Sequence, residues 1–348
     1  MPCRRKERRR RCEPLIPQAI VPRLCACGRQ EISHDSRNGF RKLFYSGIRA
    51  RLKSGEASDA MTMAHGDMWD DLDVSELSLD VNGQTLAVTR FGEGPALVIV
   101  HGIGSRAGTW MPIARELATH YDVIAYDQRG HGASSHPEAG YLLPDYAADL
   151  GELIDRIGLE RPLIMGHSLG GMVTLEWARA HPDRAAALVI EDSPMRHGGP
   201  AYGERFDAWT AQLSMPLADL KARYRADNPQ WSDVDIDRRA RGFLMTAPAV
   251  FEELNADMMP QGGISVVPTY ADILSPALLV YGDVETGGLV PGFDALAFGE
   301  TVPNAELAHI SGGSHSLHRD SPEAFLAAVE PFLARFAPDA SQSLKATS

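Results

Sequence analysis

A serine stands in a short glycine-flanked motif, Gly-His-Ser-Leu-Gly, at positions 166–170. The motif directly follows the apolar run PLIM and directly precedes a stretch with helical periodicity. A serine on such a sharp strand-to-helix turn adopts a strained backbone that holds its hydroxyl clear of the sheet. Glycines suit the flanking positions because strand and helix nearly touch there. The motif therefore predicts that Ser168 is a nucleophile.

A nucleophilic serine needs a nearby base to take its proton. The segment Ser-Gly-Gly-Ser-His-Ser-Leu-His follows the last apolar strand, at positions 311–318. It contains two histidines, His315 and His318. The first follows a glycine-rich turn and lies nearer the strand, so we predict that His315 is the base and treat His318 as its competitor.

The base in turn needs a carboxylate that accepts a hydrogen bond from its Nδ1 and fixes its tautomer. Asp192, with Glu191 as a less favoured neighbour, ends the apolar run AAALVIED. Asp283 and Glu285 follow a second run, PALLVYGD. The loops after parallel strands lie at one edge of a sheet. The residues alone therefore leave both positions open.

The negative charge that develops on a carbonyl oxygen during attack requires two preorganised backbone donors. One candidate is the N–H of Leu169, which follows the serine and begins the next helix. The other is the N–H of Ile103, in the His-Gly-Ile-Gly segment at 101–104 after the strand PALVIV. The glycines allow this backbone to approach a substrate closely.

A charged segment, Asp-Gln-Arg-Gly-His-Gly, occupies positions 127–132 after another apolar strand. We interpret it as structural: a tight turn in which Asp127 and Arg129 join neighbouring loops. His131 is not expected to be the base.

The elements that must position these residues alternate along the chain. Polar and apolar residues alternate on both sides of Asn82-Gly83, which predicts a β-hairpin. Buried strands and helices then follow in turn, and this order predicts a parallel sheet. The rhythm stops between about 194 and 268, where we expect a helical cap inserted in a domain that spans 75–337. Residues 338–348 are expected to be a flexible tail.

The N-terminal 60 residues differ in composition from the rest of the chain. They hold 15 of the 34 basic residues, 6 of the 46 acidic ones and all four cysteines. We expect residues 1–60 to be a disordered extension without specific nucleic-acid binding. The spacing of the cysteines matches no standard zinc motif, and the sequence shows neither a metal-ligand cluster nor a phosphate-binding loop, so neither metal nor cofactor is expected. No run of 18 apolar residues occurs, and we expect a cytoplasmic protein without a membrane span.

Four motifs, HGIGS, DQRGHGAS, GHSLGG and GGSHSLHR, together resemble the α/β-hydrolase superfamily in its capped, esterase-like branch. The resemblance covers about 75–337 and implies a mostly parallel, eight-stranded sheet flanked by helices. It gives Ser168 and His315 their catalytic roles and makes the Ile103 and Leu169 amides the oxyanion hole. Asp192, followed by Ser-Pro, fits the variant whose acid follows the earlier strand. We prefer it to Glu285.

The chemistry expected is hydrolysis of a carboxylic ester, lactone or amide-like bond in a small apolar molecule, through an acyl-enzyme on Ser168. A second hypothesis is a carbon–carbon hydrolase acting on a dienone acid, whose carboxylate would need a basic residue such as Arg223, Arg225 or Arg239. The same fold would also suit a perhydrolase or acyltransferase and, less favoured, a non-catalytic ligand receptor. Substrate identity and oligomeric state are not predicted.

Overall fold

A computed structural model describes residues 74–198, 200–258 and 262–338. The predictions for residues 1–60 fall outside these ranges, as do those for the C-terminal tail except its first residue, 338. Among the described helices, none is long and apolar enough to cross a membrane.

The described chain begins with the predicted hairpin. Strands β1 (Ser75–Val81) and β2 (Gln84–Phe91) pair antiparallel, with Val81 opposite Gln84. Asn82 and Gly83 connect them with φ values of 49° and 74°. Two consecutive positive φ values are typical of the type I′ turn, whose twist matches that of the strands it joins.

Eight strands form one sheet in the order β1-β2-β4-β3-β5-β6-β9-β10. The two pairs that involve β2 are antiparallel and all other neighbours are parallel. The remaining strands of this sheet are β3 (Ala96–Val100), β4 (Asp122–Tyr126), β5 (Leu163–His167), β6 (Ala187–Glu191), β9 (Ala277–Tyr281) and β10 (Ala305–His309). The resemblance's expectation of a mostly parallel, eight-stranded sheet is confirmed.

The central strands are buried on both faces, as their continuous apolar runs predict. Side chains alternate along each strand, so Val98 and Val100 join one hydrophobic cluster and Leu97 and Ile99 the other.

Helices cover both faces of the sheet. Helices α2, α3 and α8 pack in the first cluster, and α1 and α10 pack in the second. The helices outside the inserted segment are α1 (Met111–Leu117), α2 (Leu143–Arg156), α3 (Leu169–Ala180), α8 (Gly292–Thr301), the single turn α9 (Leu317–Asp320) and α10 (Pro322–Phe336).

Four α-helices lie in the described residues between β6 and β9, where the strand rhythm stops in the sequence. They are α4 (Pro200–Gln212), α5 (Leu217–Asp227), α6 (Asp233–Leu244) and α7 (Pro248–Met258). A short antiparallel pair, β7 (Arg196–His197) with β8 (Ile264–Ser265), joins the two ends of this segment. We call the segment from β7 to β8 the helical insertion.

Candidate active site

Ser168 lies at the turn between β5 and α3. Its backbone has φ 53° and ψ −117°, a conformation that non-glycine residues rarely adopt. The turn is tight: a Cβ at Gly166 would lie 2.3 Å from the Gly170 carbonyl oxygen, and a Cβ at Gly170 would lie 2.0 Å from that of Val100. The small flanking residues are therefore required by contact between backbones.

His315 and Asp192 are brought together at this edge of the sheet. The Nδ1 of His315 lies 2.7 Å from an Asp192 carboxylate oxygen. The His315 side chain is 31% exposed, whereas Asp192 is fully buried. This geometry fits an Nδ1–H that donates to the carboxylate and leaves Nε2 as the nitrogen that can take a proton.

The other acidic candidates lie elsewhere. Glu285 is exposed, and among the described residues it makes no hydrogen bond with His315. Asp283 lies 2.6 Å from Nε2 of His309 and accepts the amide of Gly312 at 2.7 Å. Of the residues predicted as the acid, Asp192 is thus the one that contacts His315.

The Asp192 carboxylate is held in place by its own backbone and by a second donor. Its φ of 37° makes it, with Asn82 and Ser168, one of three non-glycine residues with positive φ in the described chain. Its amide donates to the Val280 carbonyl at 2.8 Å, and the oxygen that faces His315 also accepts the Leu289 amide at 2.8 Å. These contacts leave the carboxylate little freedom to turn away from His315.

The loop that contains Ile103 approaches Ser168 from the neighbouring strand. A Cβ at Gly102 would lie 3.2 Å from that of Ser168. Within the described residues, the Ile103 and Leu169 amides donate no hydrogen bond, so both donors are available to a ligand.

Two buried histidines, neither of which was predicted to be catalytic, hold this loop. His131 Nε2 accepts the Gly104 amide at 3.2 Å, and His101 Nε2 accepts the Gln128 amide at 2.9 Å. Burial lowers the pKa of His101 to about 4 and that of His131 well below its ordinary value, so both rings stay neutral and can accept. The feature of the sequence that could have indicated this role is His101, which begins the His-Gly-Ile-Gly segment.

The structural interpretation of the 127–132 segment agrees with its contacts. The two oxygens of Asp127 accept the amides of Ala107 and Ala133 at 2.8 and 2.9 Å. Arg129 forms a buried bidentate pair with Asp149, both contacts at 2.6 Å. Asp127 therefore joins the loops after β3 and β4, and Arg129 joins the second of these loops to helix α2.

A second group of titratable side chains, His167, Glu191 and His318, is buried behind Ser168 and His315. Two histidines and one carboxylate are ligands that several transition metals accept. Here, however, the Nδ1 of His318 lies 2.8 Å from both Glu191 oxygens, and His167 Nε2 lies 2.8 Å from the His315 carbonyl oxygen. The Glu191 carboxylate and one nitrogen of each histidine therefore already have hydrogen-bond partners.

The helical insertion contacts the loop beside Ser168 through helix α6. Arg239 donates a hydrogen bond to the Gly104 carbonyl. A Cβ at Gly104 would lie 2.7 Å from the Phe243 ring, so this ring rests directly on the loop. Of the two remaining candidate arginines, Arg223 faces Asp227 at 3.8 Å and Arg225 pairs with Asp233.

Comparison with known proteins places this architecture in a family. The model of the alpha/beta hydrolase fold family matches residues 95–322. The chain belongs to this family, and the fold expected from the four motifs is confirmed.

Relatives match over most of the folded chain. A 2-(acetamidomethylene)succinate hydrolase of Mesorhizobium japonicum is 27% identical, over 73% of this chain and 94% of its own length. RutD of Cronobacter turicensis, assigned as a carbamate hydrolase, is 30% identical over 71% of this chain and 94% of its own. The crystal structure of an E-2-(acetamidomethylene)succinate hydrolase superposes with a TM-score of 0.62 at 26% identity, covering 75% of this chain and 99% of that one. The protein is accordingly a hydrolase of the α/β-hydrolase fold.

Proposed function

We propose that the protein is a serine hydrolase that cleaves an ester, lactone or amide-like bond of a small molecule through an acyl-enzyme on Ser168. The observation that carries the proposal is the 2.7 Å contact between His315 Nδ1 and the buried Asp192, next to the strained turn at Ser168. The His315 ring lies 4.6 Å from the ring of His167, the residue before Ser168. A base oriented by a carboxylate, beside a nucleophile on a strand-to-helix turn, is the arrangement that acyl transfer requires.

Each group then has one task. The Ser168 oxygen attacks the substrate carbonyl carbon while its proton passes to Nε2 of His315. Asp192 holds the Nδ1–H and stabilises the cation that forms on the ring. The Ile103 and Leu169 amides stabilise the oxyanion. His315 returns the proton to the leaving group, and water then releases the acyl group by the same steps.

Compounds with amide-like bonds belong among the first substrates to be tested. The names of two relatives denote an acetamido compound and a carbamate, and both contain a carbonyl bonded to nitrogen. An amide nitrogen must be protonated as it leaves, and His315 would supply that proton.

A fluorophosphonate probe and short-chain p-nitrophenyl esters test the proposal directly. The wild-type protein should be labelled and should turn over esters, whereas Ser168→Ala should do neither. Ser275→Ala is the matched control, because this buried serine donates only to the Pro182 and Ala185 carbonyls, at the opposite edge of the sheet. A wild-type protein that is neither labelled nor active on esters or amides would contradict the acyl-enzyme mechanism.

A carbon–carbon hydrolase of the same fold is the second candidate, and Arg239 is the observation that favours it. Such an enzyme needs a cation near the nucleophile to hold the substrate carboxylate, and Arg239 reaches the loop beside Ser168. Its guanidinium lies over the Tyr224 and Phe243 rings, 5.5 and 5.4 Å from their centres. Within the described chain Arg239 forms no ion pair with a carboxylate.

The two candidates differ in the substrate that is cleaved. A dienone acid should lose its visible absorbance with the wild-type protein if the second candidate is correct. Arg239→Gln should then lower activity on this acid at least tenfold more than activity on a neutral ester. Arg223→Gln serves as the control, since its exposed side chain pairs with Asp227 on the same helix, α5. If the absorbance persists while ester turnover is normal, the carbon–carbon hydrolase is excluded. The hydrolase of ester, lactone or amide-like bonds is then the remaining candidate.

A further inference from the structure

The three side chains of the buried cluster, His167, Glu191 and His318, are each close in sequence to a residue of the proposed triad. His167 and Glu191 directly precede Ser168 and Asp192. His318 follows His315 by three residues. His167 and Glu191 also face each other in the register of β5 and β6. Their exposed fractions are 8%, 0% and 2%, so the cluster is closed to solvent.

Glu191 fixes His318 through both its backbone and its ring. The His318 amide donates to a Glu191 oxygen at 2.9 Å, and the ring Nδ1 lies 2.8 Å from both oxygens. On its flat side the His318 ring stacks on Trp110, with centres 4.0 Å apart and planes 6° from parallel. This contact anchors the end of the loop that carries His315.

His167 contacts the same loop at His315 itself. Its Nε2 donates to the His315 carbonyl oxygen at 2.8 Å, and the two rings lie 4.6 Å apart. The Ser168 amide donates to the Glu191 carbonyl at 3.0 Å. The cluster therefore contacts the backbones of both His315 and Ser168 and, through the chain, holds Asp192.

The protonation states of the two histidines agree with the hydrogen bonds described above, in which each ring donates from one nitrogen. Burial lowers the pKa values of His167 and His318 well below the ordinary value, so both rings are neutral. Burial also raises the pKa of Glu191 to about 7. A neutral His318 that donates from Nδ1 has a lone pair on Nε2, and the Arg319 guanidinium lies 3.4 Å from that atom. In each of the two neutral rings, one nitrogen therefore donates a hydrogen bond and the other can accept one.

We infer that His167, Glu191 and His318 act as positioning residues that hold the His315 ring in register with both Asp192 and Ser168. They are closed to solvent and contact the backbones of His315 and Ser168, so they act through the triad and not on the substrate itself. The inference rests on the proposed function, because it assigns these residues to the same triad. Positioning of this kind matters since a displacement of about 1 Å can cost about a hundredfold in rate.

The test compares two substitutions of Glu191 with a matched control. Glu191→Ala removes both acceptors of His318, whereas Glu191→Gln retains one. Asp294→Asn is the control, because Asp294 is also a buried carboxylate, 1% exposed, and pairs with Arg196 instead. We expect Glu191→Ala to lower kcat on an ester at least a hundredfold with KM changed less than threefold. Glu191→Gln should recover at least tenfold, and Asp294→Asn should stay within twofold of wild type.

A readout independent of turnover decides the same point. The ring N–H of His315 against Asp192 should give a downfield proton resonance, assigned by its loss in Asp192→Asn. It should disappear in Glu191→Ala and persist in Glu191→Gln and Asp294→Asn. If Glu191→Ala does not fold, His318→Phe keeps the stacking on Trp110, removes the Nδ1 contact and should lose the same resonance.

Three results would overturn the inference. One is an unchanged resonance and kcat in folded Glu191→Ala or His318→Phe. Another is an equal loss of kcat in Asp294→Asn, which would indicate general destabilisation. The third is a stoichiometric metal ion, measured in the purified protein, that is lost with Glu191→Ala. A wild-type protein without ester or amide turnover would contradict the proposed function instead, and the resonance would still decide the positioning role.

Discussion

Asp192 and Glu285 each have a carboxylate that could accept a hydrogen bond from His315 Nδ1, and the surroundings of these two carboxylates differ. Asp192 is fully buried, with one oxygen shared between His315 and the Leu289 amide. Glu285 is exposed, so water can solvate its charge equally well without a histidine partner. A buried carboxylate with fixed donors can hold a histidine tautomer, and a solvated one cannot hold it as firmly.

At the residue scale we therefore expect Asp192→Asn to lower kcat by about 10³- to 10⁴-fold, since an amide favours the wrong tautomer of His315. Glu285→Gln should stay within about twofold of wild type. Steady-state kinetics on a p-nitrophenyl ester, with fluorophosphonate labelling alongside, measure both. A severe loss in Glu285→Gln with normal Asp192→Asn would make Glu285 the acid.

Among the elements, the junction of β3, β5 and α3 determines where Ser168 lies. Helix α3 begins directly after the serine, and Gly170 in its first turn touches the backbone of β3. A methyl group there would lie 2.0 Å from the Val100 carbonyl oxygen and 2.7 Å from that of His101. Backbone atoms of a central strand cannot move aside as a flexible side chain can.

Gly170→Ala should therefore lower the free energy of unfolding by about 3 kcal/mol, the upper end for overpacking. To relieve the clash of the added methyl group, α3 must move away from β3. Fluorophosphonate labelling of Ser168 should therefore fall as well. Gly292→Ala is the matched control: this glycine begins α8 with no atom within 4 Å of the added methyl group. Its effect should stay within about 0.5 kcal/mol in urea unfolding. Equal stability of the two variants would show that the junction can relax.

For the whole molecule, the number of neutral buried histidines determines how stability depends on pH. In the described part of the chain, four fully or almost fully buried histidines, His101, His131, His167 and His318, have pKa values lowered by burial. In the unfolded chain each titrates near 6.5. Below that pH the unfolded state binds protons that the folded state does not, so the free energy of unfolding falls as pH falls.

Each histidine contributes up to about 1.4 kcal/mol per pH unit between its folded pKa and 6.5. Glu191 acts in the opposite direction, because its raised pKa of about 7 lets the folded state keep a proton that the unfolded carboxyl releases above 4.5. The four histidines together change the free energy of unfolding more than the single Glu191 carboxyl does. The urea concentration at the unfolding midpoint should therefore rise steeply from pH 5 to pH 6.5. It should flatten above pH 7. A midpoint that is constant over this range would show that the histidines are protonated in the folded protein.

The structural features that could be predicted from the sequence are local in origin. The Asn82-Gly83 turn, the strand at 163–167 and the helix at 169–180 follow from neighbouring residues, since turn geometry and side-chain periodicity act over a few positions. The four motifs, read together, were sufficient to predict the α/β-hydrolase fold, which is confirmed.

Contacts between side chains that are distant in the sequence could not be predicted from it. The sequence left Asp192 and Glu285 as competing acids, and the contact of Asp192 with His315 depends on β6 lying between β5 and β9. The same strand order brings Glu191 to His318 and so builds a cluster that no spacing in the sequence indicates. Arg239 likewise reaches the Gly104 loop only because α6 packs there. These pairings join residues more than a hundred positions apart, and their geometry depends on the order and packing of whole elements rather than on any local pattern.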